Sequence, residues 1–494
     1  MAGGIESPPA ARYPPAMHAL TNPRLRLPVL LLVAIGARWL TFGNPLVHVD
    51  EEFYFVTGSR MWHGALPFVD IWDRKPVGLF LLYAIPGALG FPAGIWAYQM
   101  LALASVVATA ALIGRLAERI GYATGATAAG LAYILWLDLL GGQGGQTPVF
   151  YNVLTIGAAL LLLTSATSPR RRMLGLLVMA LIGIGLQIKT SLVFEGIAFG
   201  LWLLADEWRL ARRPVALAGY GLALVAVALL PSAAAAAYYR AVGQWDAFVY
   251  ANVVSIFQRV PDPLSLLAGN VARLALIVSP VVALAVVALA RSRADDAGRR
   301  ERRFVALWLA VAIVGVAIFR PWFDHYALPI LLPACAAAAG MLGRDRWRAR
   351  YTPALLLAAA LAGQIVLILQ NRGRGDAHEL AAMTQAAGHG PGCLYVYSGT
   401  TMLYASTGRC ILSRYLIPAH LVRAREAGAT GVDQDAEIRR ILAHRPAVVV
   451  IRPPYKGERP AAHRIVTDAM ARDYRLTARL PMGNEVVRIY HRRP

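Results

Sequence analysis

Long apolar segments recur from Leu27 to about Leu369, and they limit the possible folds of this chain more than any other feature. Of the 494 residues, 57% are hydrophobic and only 16% are charged. An average soluble domain has about a quarter of its residues charged. Runs of about 20 apolar residues are long enough to cross a bilayer as helices. The sequence therefore predicts a polytopic α-helical membrane protein.

The net charge of +21 indicates membrane topology rather than a nucleic-acid partner. The Lys and Arg residues cluster in short loops between apolar segments, and such basic loops are typically cytoplasmic. An even number of crossings must separate two cytoplasmic loops. The basic segments that we use as cytoplasmic markers are residues 22–26, 115–119, 170–172, 209–213, 291–303 and 344–350.

One apolar segment, residues 76–90, is too short to cross the membrane. It contains Pro86, Gly87 and Gly90. As a helix it would extend only about 22 Å, against a hydrocarbon core of about 30 Å. Counting it as a crossing would also place the basic segment 115–119 outside. We therefore predict an interfacial helix on the outer face, directly after a first outer loop at 47–75.

The other apolar segments predict a transmembrane domain at 25–370 with about eleven helices. Residues 1–24 are rich in Pro and Ala and predict a disordered cytoplasmic tail. The later outer loops are expected at 141–148, 238–266 and 320–325. The expected spans are residues 27–46, 94–114, 121–140, 149–168, 173–189, 191–205, 214–237, 267–290, 304–320, 326–343 and 351–370.

The segment 371–494 has a different composition and predicts a small extracytoplasmic α/β domain, because short strand-like and helix-like stretches alternate in it. The strands are expected at 393–399, 447–454 and 485–493, and the helices at 376–388 and 434–446. We find no phosphate-binding glycine loop, metal-ligand cluster or nucleophile motif in this segment.

The three cysteines are too few for a disulfide framework. Cys335 lies in an apolar segment, where a thiol is expected to be buried. Cys393 and Cys410 lie in the C-terminal domain and could form a disulfide if that domain is extracytoplasmic. The sequence leaves their pairing open.

Ionisable and polar side chains concentrate at the outer face of the predicted membrane domain. A charge at mid-membrane depth costs roughly 2.5–3.5 kcal/mol on insertion scales, so several near one face indicate a site. Simpler explanations remain open, because an acidic run can be a solvated loop and a lysine can anchor a helix end. The candidates are Asp50, Glu51, Arg74, Lys75, Asp138, Lys189, Arg320, His325 and Tyr326.

The sequence VDEEFYF at 49–55, followed by DRKPVGLFLLY at 73–83, resembles the first-loop signature of the GT-C polyprenyl-phosphate-sugar glycosyltransferases. This group contains the dolichyl-phosphate-mannose protein mannosyltransferases and the bacterial transferases that add aminoarabinose or galacturonic acid to lipid A. The similarity continues at 183–191, 320–333 and 394–415 and covers nearly the whole chain.

The resemblance implies transfer of a sugar from a polyprenyl-phosphate donor to an acceptor hydroxyl at the outer face of the cytoplasmic membrane. The acceptor would be a cell-envelope glycan, a glycolipid or a protein. No metal and no cofactor are expected, because Lys and Arg can meet the phosphate charge. The sequence names neither the sugar nor the acceptor.

The resemblance also implies roles for the candidate residues. Asp50, the first acid of the signature, is expected to take the acceptor proton, with Glu51 as the next candidate or its orienting partner. Glu52 is expected to face solvent. Lys75 is expected to neutralise the leaving phosphate. The other residues expected near that phosphate are Arg74, Lys189, Arg320, His325 and Tyr326.

Two positions depart from the family pattern. A relative that acts on lipid A carries Arg at the position of Phe53. This chain therefore lacks part of the cation pair that is expected around the phosphate. Relatives often carry Glu at the position of Pro148, after the glycine-rich second outer loop. Asp138 is the candidate for a substituting second acid.

Two other functional classes fit the broad architecture. A lipid-linked glycan transporter would also have many spans, but it would usually show internal repeats, which we do not find. A glycan ligase or polymerase is closer in chemistry. Such proteins favour a large outer loop late in the chain, whereas the charged loop comes first here.

Overall fold

The computed structural model describes residues 22–291 and 298–494, so residues 1–21 of the predicted tail and residues 292–297 lie outside it. The described membrane part consists of helices α1 (Arg26–Arg38), α2 (Val49–Met61), α3 (Val77–Gly87), α4 (Ala93–Arg119), α5 (Ala126–Leu139), α6 (Thr147–Ser165), α7 (Arg171–Leu186), α8 (Val193–Ala211), α9 (Pro214–Ala241), α10 (Trp245–Val249), α11 (Leu264–Ala290), α12 (Arg299–Ile318), α13 (Leu331–Leu342) and α14 (Thr352–Arg374).

Each of the eleven predicted spans overlaps one of these helices, and the chain is a multi-pass membrane protein. Among the described residues, six helical segments are long and apolar enough to cross a membrane by length and composition. They are Ala93–Arg119, Thr147–Ser165, Pro214–Ala241, Leu264–Ala290, Asp324–Leu342 and Trp347–Ala387. The count of eleven crossings stays a prediction.

Helices α5 and α13 form the centre of the membrane part. All residues of α5 except Leu139 are buried, as expected for a helix that is apolar on every side. The backbone at Gly125, just before α5, lies so close to the backbone of Ala339 in α13 that an added Cβ would clash with it. Small residues thus allow the two central elements to pack tightly.

Helices α2 and α3 form a parallel pair at the predicted outer face. Their contacts advance in the same direction along both helices, from Tyr54 with Phe80 to Gly58 with Tyr83. An added Cβ at Gly58 would lie 2.4 Å from the Tyr83 carbonyl carbon. The starts of the two helices, preceded by His48 and Pro76 respectively, therefore lie side by side.

The free side of α3 is apolar. Leu81, Ile85 and the following Leu89 are 54%, 66% and 62% exposed, and they recur every four residues along one face. A helix of only 11 residues with such a face fits the predicted position at the membrane interface.

The C-terminal domain contains a four-stranded sheet, which confirms the prediction of a small α/β fold. The strands are β1 (Leu394–Val396), β2 (Val448–Ile451), β3 (Tyr474–Met482) and β4 (Glu485–Arg492), and the helices are α15 (Ala377–Ala387), α16 (Leu403–Thr407), α17 (Pro418–Val422), α18 (Gln434–Ala443) and α19 (Pro460–Asp473). The order of the strands in the sheet is β1-β2-β4-β3, with β1 parallel to β2 and the other pairs antiparallel. Strand β3 was not predicted.

A disulfide joins Cys393, directly before β1, to Cys410, and Cys335 is a buried free thiol. The pairing that the sequence left open is therefore present. It ties the first strand to the loop after α16, next to the face of the domain that contacts the membrane part.

The C-terminal domain is attached to α2 through Glu52. The Thr400 hydroxyl donates a 2.6 Å hydrogen bond to one Glu52 oxygen, and the Arg374 guanidinium lies 3.5 Å from the other. Only 3% of Glu52 is exposed, so the expectation that it faces solvent is wrong. The sequence pattern of α2 could not reveal this, because the two partners lie more than 300 residues away.

We expect Gly58→Ala to lower the stability of the folded protein. Alanine in place of glycine within a helix normally stabilises by about 0.5–1 kcal/mol, but here the new Cβ would clash with the α3 backbone and cost about 1–3 kcal/mol. Thermal unfolding in detergent measures the change. Gly269→Ala is the matched control, because a Cβ there meets nothing within 4 Å. Equal melting temperatures for the two variants would contradict the close packing.

Candidate functional site

A cavity of about 820 Å³ lies between the membrane part and the C-terminal domain. Its walls come from the starts of α2 and α3, the turn after α7, the segment before α13 and the C-terminal domain. Seven of the nine predicted site residues line it. They are Asp50, Arg74, Lys75, Lys189, Arg320, His325 and Tyr326.

Asp50 lies in the first turn of α2, within the predicted first outer loop. Its backbone N–H donates to Nδ1 of His48, the N-cap residue, at 3.1 Å. Gln146 Nε2 also approaches that ring nitrogen, at 2.6 Å. Burial lowers the pKa of His48 to about 4, so the ring is neutral and can accept from both groups. The start of α2 is thereby fixed to the second outer loop.

That second outer loop, GGQGGQ at 141–146, is held by Arg38 from α1. The guanidinium donates to the carbonyl oxygens of Gly142, Gln143 and Gly144, the bond to Gln143 being 2.7 Å long. Arg38 is only 2% exposed, so these bonds compensate for burying its charge. Gln146 of this loop contacts His48, so the loop also holds the start of α2, where Asp50 lies.

Asp50 and Lys75 line the same cavity and interact through space as opposite charges. Burial alone would raise the pKa of Asp50, but nearby positive charge, chiefly that of Lys75, outweighs it and holds the pKa well below its usual range. Burial likewise opposes the charge on Lys75, whereas Asp73 and Asp50 raise its pKa. Both groups are therefore ionised, as a carboxylate and an ammonium at one wall of the cavity.

Asp73 and His420 support Lys75, and sequence reasoning did not identify either as a site residue. Lys75 Nζ lies 3.3 Å from Asp73 Oδ2, and His420 Nε2 lies 4.0 Å from the other Asp73 oxygen. Asp73 is 2% exposed. Its position in DRKP, directly before Arg74 and Lys75, was a usable signal. His420, in α17, had no local signal because the fold brings it to the site from the C-terminal domain.

Glu51 points away from the cavity. It is 1% exposed and its carboxyl packs against Gly144, where an added Cβ would lie 2.2 Å from an oxygen of Glu51. Burial raises the pKa of Glu51 to about 7, although Arg38 opposes that rise. The role of Glu51 as a second base or orienting group stays a prediction, and its position behind the glycine-rich loop fits an indirect contribution.

Asp138, the predicted second acid, also lies outside the cavity lining. It is 1% exposed near the outer end of α5, and Gly363 of α14 packs against its side chain. The charged group that interacts with it through space is Arg38. A direct role in chemistry stays a prediction, and the observed geometry places Asp138 beside the support for the glycine-rich loop.

Arg74 links three parts of the protein. Its guanidinium donates to Ser255, to Glu426 at 2.7 Å and to the Ala429 carbonyl at 2.6 Å. These contacts join the first outer loop to the third and to the C-terminal domain. The contact of Arg74 with phosphate stays a prediction. The hydrogen bonds of Arg74 hold the walls of the cavity together.

The remaining predicted residues surround the cavity from the membrane side. The Lys189 ammonium lies 5.0 Å from the centre of the Tyr326 ring. His325 contacts the His48 ring edge to face, at 5.7 Å between centroids. Arg320 is exposed and packs over Trp322 at 5.4 Å.

Cationic side chains outnumber carboxylates among the residues that line the cavity, ten to seven. An enclosed surface with excess positive charge concentrates anions. Among the described residues, no group of three or more His, Cys, Asp and Glu side chains is arranged to hold a metal ion. The expectation that the reaction uses no metal or cofactor stays a prediction.

Solved structures share this architecture. The chain is similar to ArnT from Cupriavidus metallidurans in the apo state, at 14% identity and a TM-score of 0.63, over 94% of this chain and 97% of that one. The TM-score is 0.61 against the same protein bound to undecaprenyl phosphate, with the same identity and coverage. The Archaeoglobus fulgidus oligosaccharyltransferase in the apo form matches at 11% identity and a TM-score of 0.52, over 87% of this chain and 69% of that one.

The likeness establishes the fold. The chain has the GT-C fold that these glycosyltransferases share, which confirms the fold predicted from VDEEFYF and DRKP. No family model and no curated protein sequence matches the chain.

We expect Glu51→Gln to change how stability depends on pH. The pKa of Glu51 is about 7 in the folded chain against 4.5 as the ordinary value, so between these pH values the folded state holds the proton and the unfolded state does not. The contribution of Glu51 to stability therefore falls as the pH rises through this window, by about 3 kcal/mol in total.

Unfolding in detergent micelles at pH 5 and pH 8 measures this dependence. Relative to the wild type, Glu51→Gln should gain stability at pH 8 compared with pH 5. Asp468→Asn, at an exposed position of α19, is the control and should follow the wild type at both pH values. If Glu51→Gln also follows the wild type, Glu51 does not hold a proton in the folded state.

Proposed function

We propose that this chain is an integral membrane glycosyltransferase that moves a sugar from a polyprenyl-phosphate donor to an acceptor hydroxyl at the outer face of the cytoplasmic membrane. The observation that carries the proposal is that Asp50 and Lys75, which interact through space, line one cavity with an excess of cationic side chains in a GT-C fold. A base and a phosphate partner are the two groups that this reaction needs.

Lys75 would bind the donor phosphate. The bond from Lys75 to Asp73 positions the ammonium group, and Lys75 directly precedes Pro76, the N-cap of α3. The unpaired N–H groups at the start of a helix favour an anion. Charge builds on the phosphate oxygen as the bond to the sugar breaks, and a fixed ammonium stabilises that charge.

Asp50 would accept the proton of the acceptor hydroxyl. Before the donor binds, Lys75 holds the pKa of Asp50 low, which makes the carboxylate a weak base. A phosphate bound to Lys75 offsets part of that positive charge and adds a negative one, so donor binding raises the pKa of Asp50. The base thus becomes stronger when the donor is in place.

The exposed apolar face of α3 gives the lipid a route to the site. Leu81 and Ile85 lie on the same short helix that follows Lys75, so a prenyl chain can pack along α3 while its phosphate reaches the ammonium group. ArnT from Cupriavidus metallidurans binds undecaprenyl phosphate in its solved complex, and a lipid of that class fits the arrangement of Lys75 and α3 in this chain.

The outer location is supported by the chemistry of the C-terminal domain. The Cys393–Cys410 disulfide is typical of an oxidising, extracytoplasmic compartment. The basic segments that we assign to the cytoplasm lie at the opposite helix ends, as the positive-inside rule requires. The acceptor, whether lipid, glycan or protein, would enter between this domain and the membrane part.

We expect Asp50→Asn and Lys75→Ala each to lower sugar transfer at least about 100-fold, since the first removes the base and the second the phosphate charge. The assay uses purified protein in liposomes with a radiolabelled polyprenyl-phosphate sugar and an envelope extract as acceptor. The matched control is Asp70→Asn, an exposed acid of the same loop that accepts a hydrogen bond from the Leu66 N–H and does not line the cavity. Full transfer by either site variant would show that the assigned roles are wrong.

A further inference from the structure

A second polar cluster lies on the membrane side of the same cavity. Glu195 stands in the first turn of α8, and Tyr151 lies near the start of α6; both side chains line the cavity. Ser191 completes the group: the Tyr151 hydroxyl lies beside the Ser191 hydroxyl and the Glu195 carboxyl. None of the motifs discussed above includes Glu195 or Tyr151.

The surroundings of this cluster are apolar. Across the cavity, α12 contributes Ala312, Gly315 and Val316 to the lining. Phe194, next to Glu195, packs against Phe319 at 5.7 Å and against Gly315. Ala312 and Gly315 are small residues, and both line the same cavity as Glu195.

Glu195 is buried, at 4% exposure, and no cation contacts it in the part of the chain that the structure describes. Its own backbone N–H donates to the carboxyl group, and the Tyr151 hydroxyl lies beside it. A single backbone donor leaves most of the acceptor capacity of this buried carboxyl group unused, and buried polar groups usually have partners. One strong acceptor beside two hydroxyls matches the hydrogen-bonding pattern of adjacent sugar hydroxyls.

We propose that Glu195, Tyr151 and Ser191 form the subsite that holds the sugar of the donor through its hydroxyl groups. The inference rests on the proposed function and specifies a part of it. Lys189 connects the two regions, because it lines the cavity near Tyr326 and lies two residues before Ser191. A phosphate at Lys75 and Lys189 would leave the attached sugar within reach of Ser191 and Glu195.

The test compares binding of undecaprenyl phosphate with binding of its glucosyl, mannosyl, galactosyl and arabinosyl derivatives to the full-length protein in detergent micelles. For the wild type, at least one derivative should bind more tightly than the bare lipid phosphate. Glu195→Gln should reduce that gain in affinity about tenfold, since the amide replaces an accepting carboxyl oxygen with an NH₂ group that cannot accept. It should leave the affinity for bare undecaprenyl phosphate unchanged.

Two further variants separate a binding role from a structural one. Tyr151→Phe keeps the ring and removes the hydroxyl, so it should lose part of the gain from the sugar even if Glu195→Gln folds poorly. Glu207→Gln is the matched control at the other end of α8, where the carboxylate pairs with Arg171 and Arg172 and does not line the cavity. Glu207→Gln should keep the full difference in affinity between the sugar derivative and the bare lipid phosphate.

The outcomes distinguish this inference from the function on which it rests. If the wild type fails to bind undecaprenyl phosphate and all its derivatives, the proposed function fails and the subsite with it. If the bare lipid binds and no derivative binds more tightly, the subsite is overturned and the lipid-phosphate site stands. The subsite is also overturned if Glu195→Gln and Tyr151→Phe both keep the gain from the sugar.

Discussion

The close parallel packing of α2 against α3 is the constraint on which the site depends. Gly58 and Gly87 allow the two backbones to touch, and this contact fixes the register of the helices. In that register the start of α2 lies beside the start of α3, so Asp50 and Lys75 line the same cavity although 24 residues of chain separate them. Two helix N-termini also meet at one wall of the cavity.

The rest of the protein holds that pair in place from two sides. In the membrane part, Arg38 donates hydrogen bonds to carbonyl oxygens of the glycine-rich loop, and Gln146 of that loop contacts His48 at the start of α2. From the C-terminal domain, His420 approaches Asp73, the partner of Lys75, and Thr400 bonds Glu52. The C-terminal domain therefore contributes to the site itself. A chain ending after α14 would lack one wall of the cavity and both of these contacts.

The sequence predicts the membrane helices and the α/β character of the C-terminal domain, because hydropathy and basic loops are local signals. It also predicts seven residues of the cavity, because the DEE and DRKP segments resemble a known signature. It does not reveal which way successive acids point. Asp50 and Glu52 line the cavity while Glu51 is turned toward Gly144, and Glu52 is held by a residue some 350 positions away. His420 and Glu195 carry no motif, since their position depends on how distant helices pack. Strand β3 could have been found from its alternating pattern in YRLTARLPM.

The most direct test of the account is an experimental structure of the protein with undecaprenyl phosphate bound. We predict that the phosphate lies within hydrogen-bonding distance, about 3 Å, of Lys75 Nζ, on the side that faces Asp50, with the prenyl chain leaving along the apolar face of α3. A phosphate bound elsewhere, with Lys75 still occupied by Asp73 alone, would contradict the central claim that the α2–α3 register builds a base and a lipid-phosphate partner into one site.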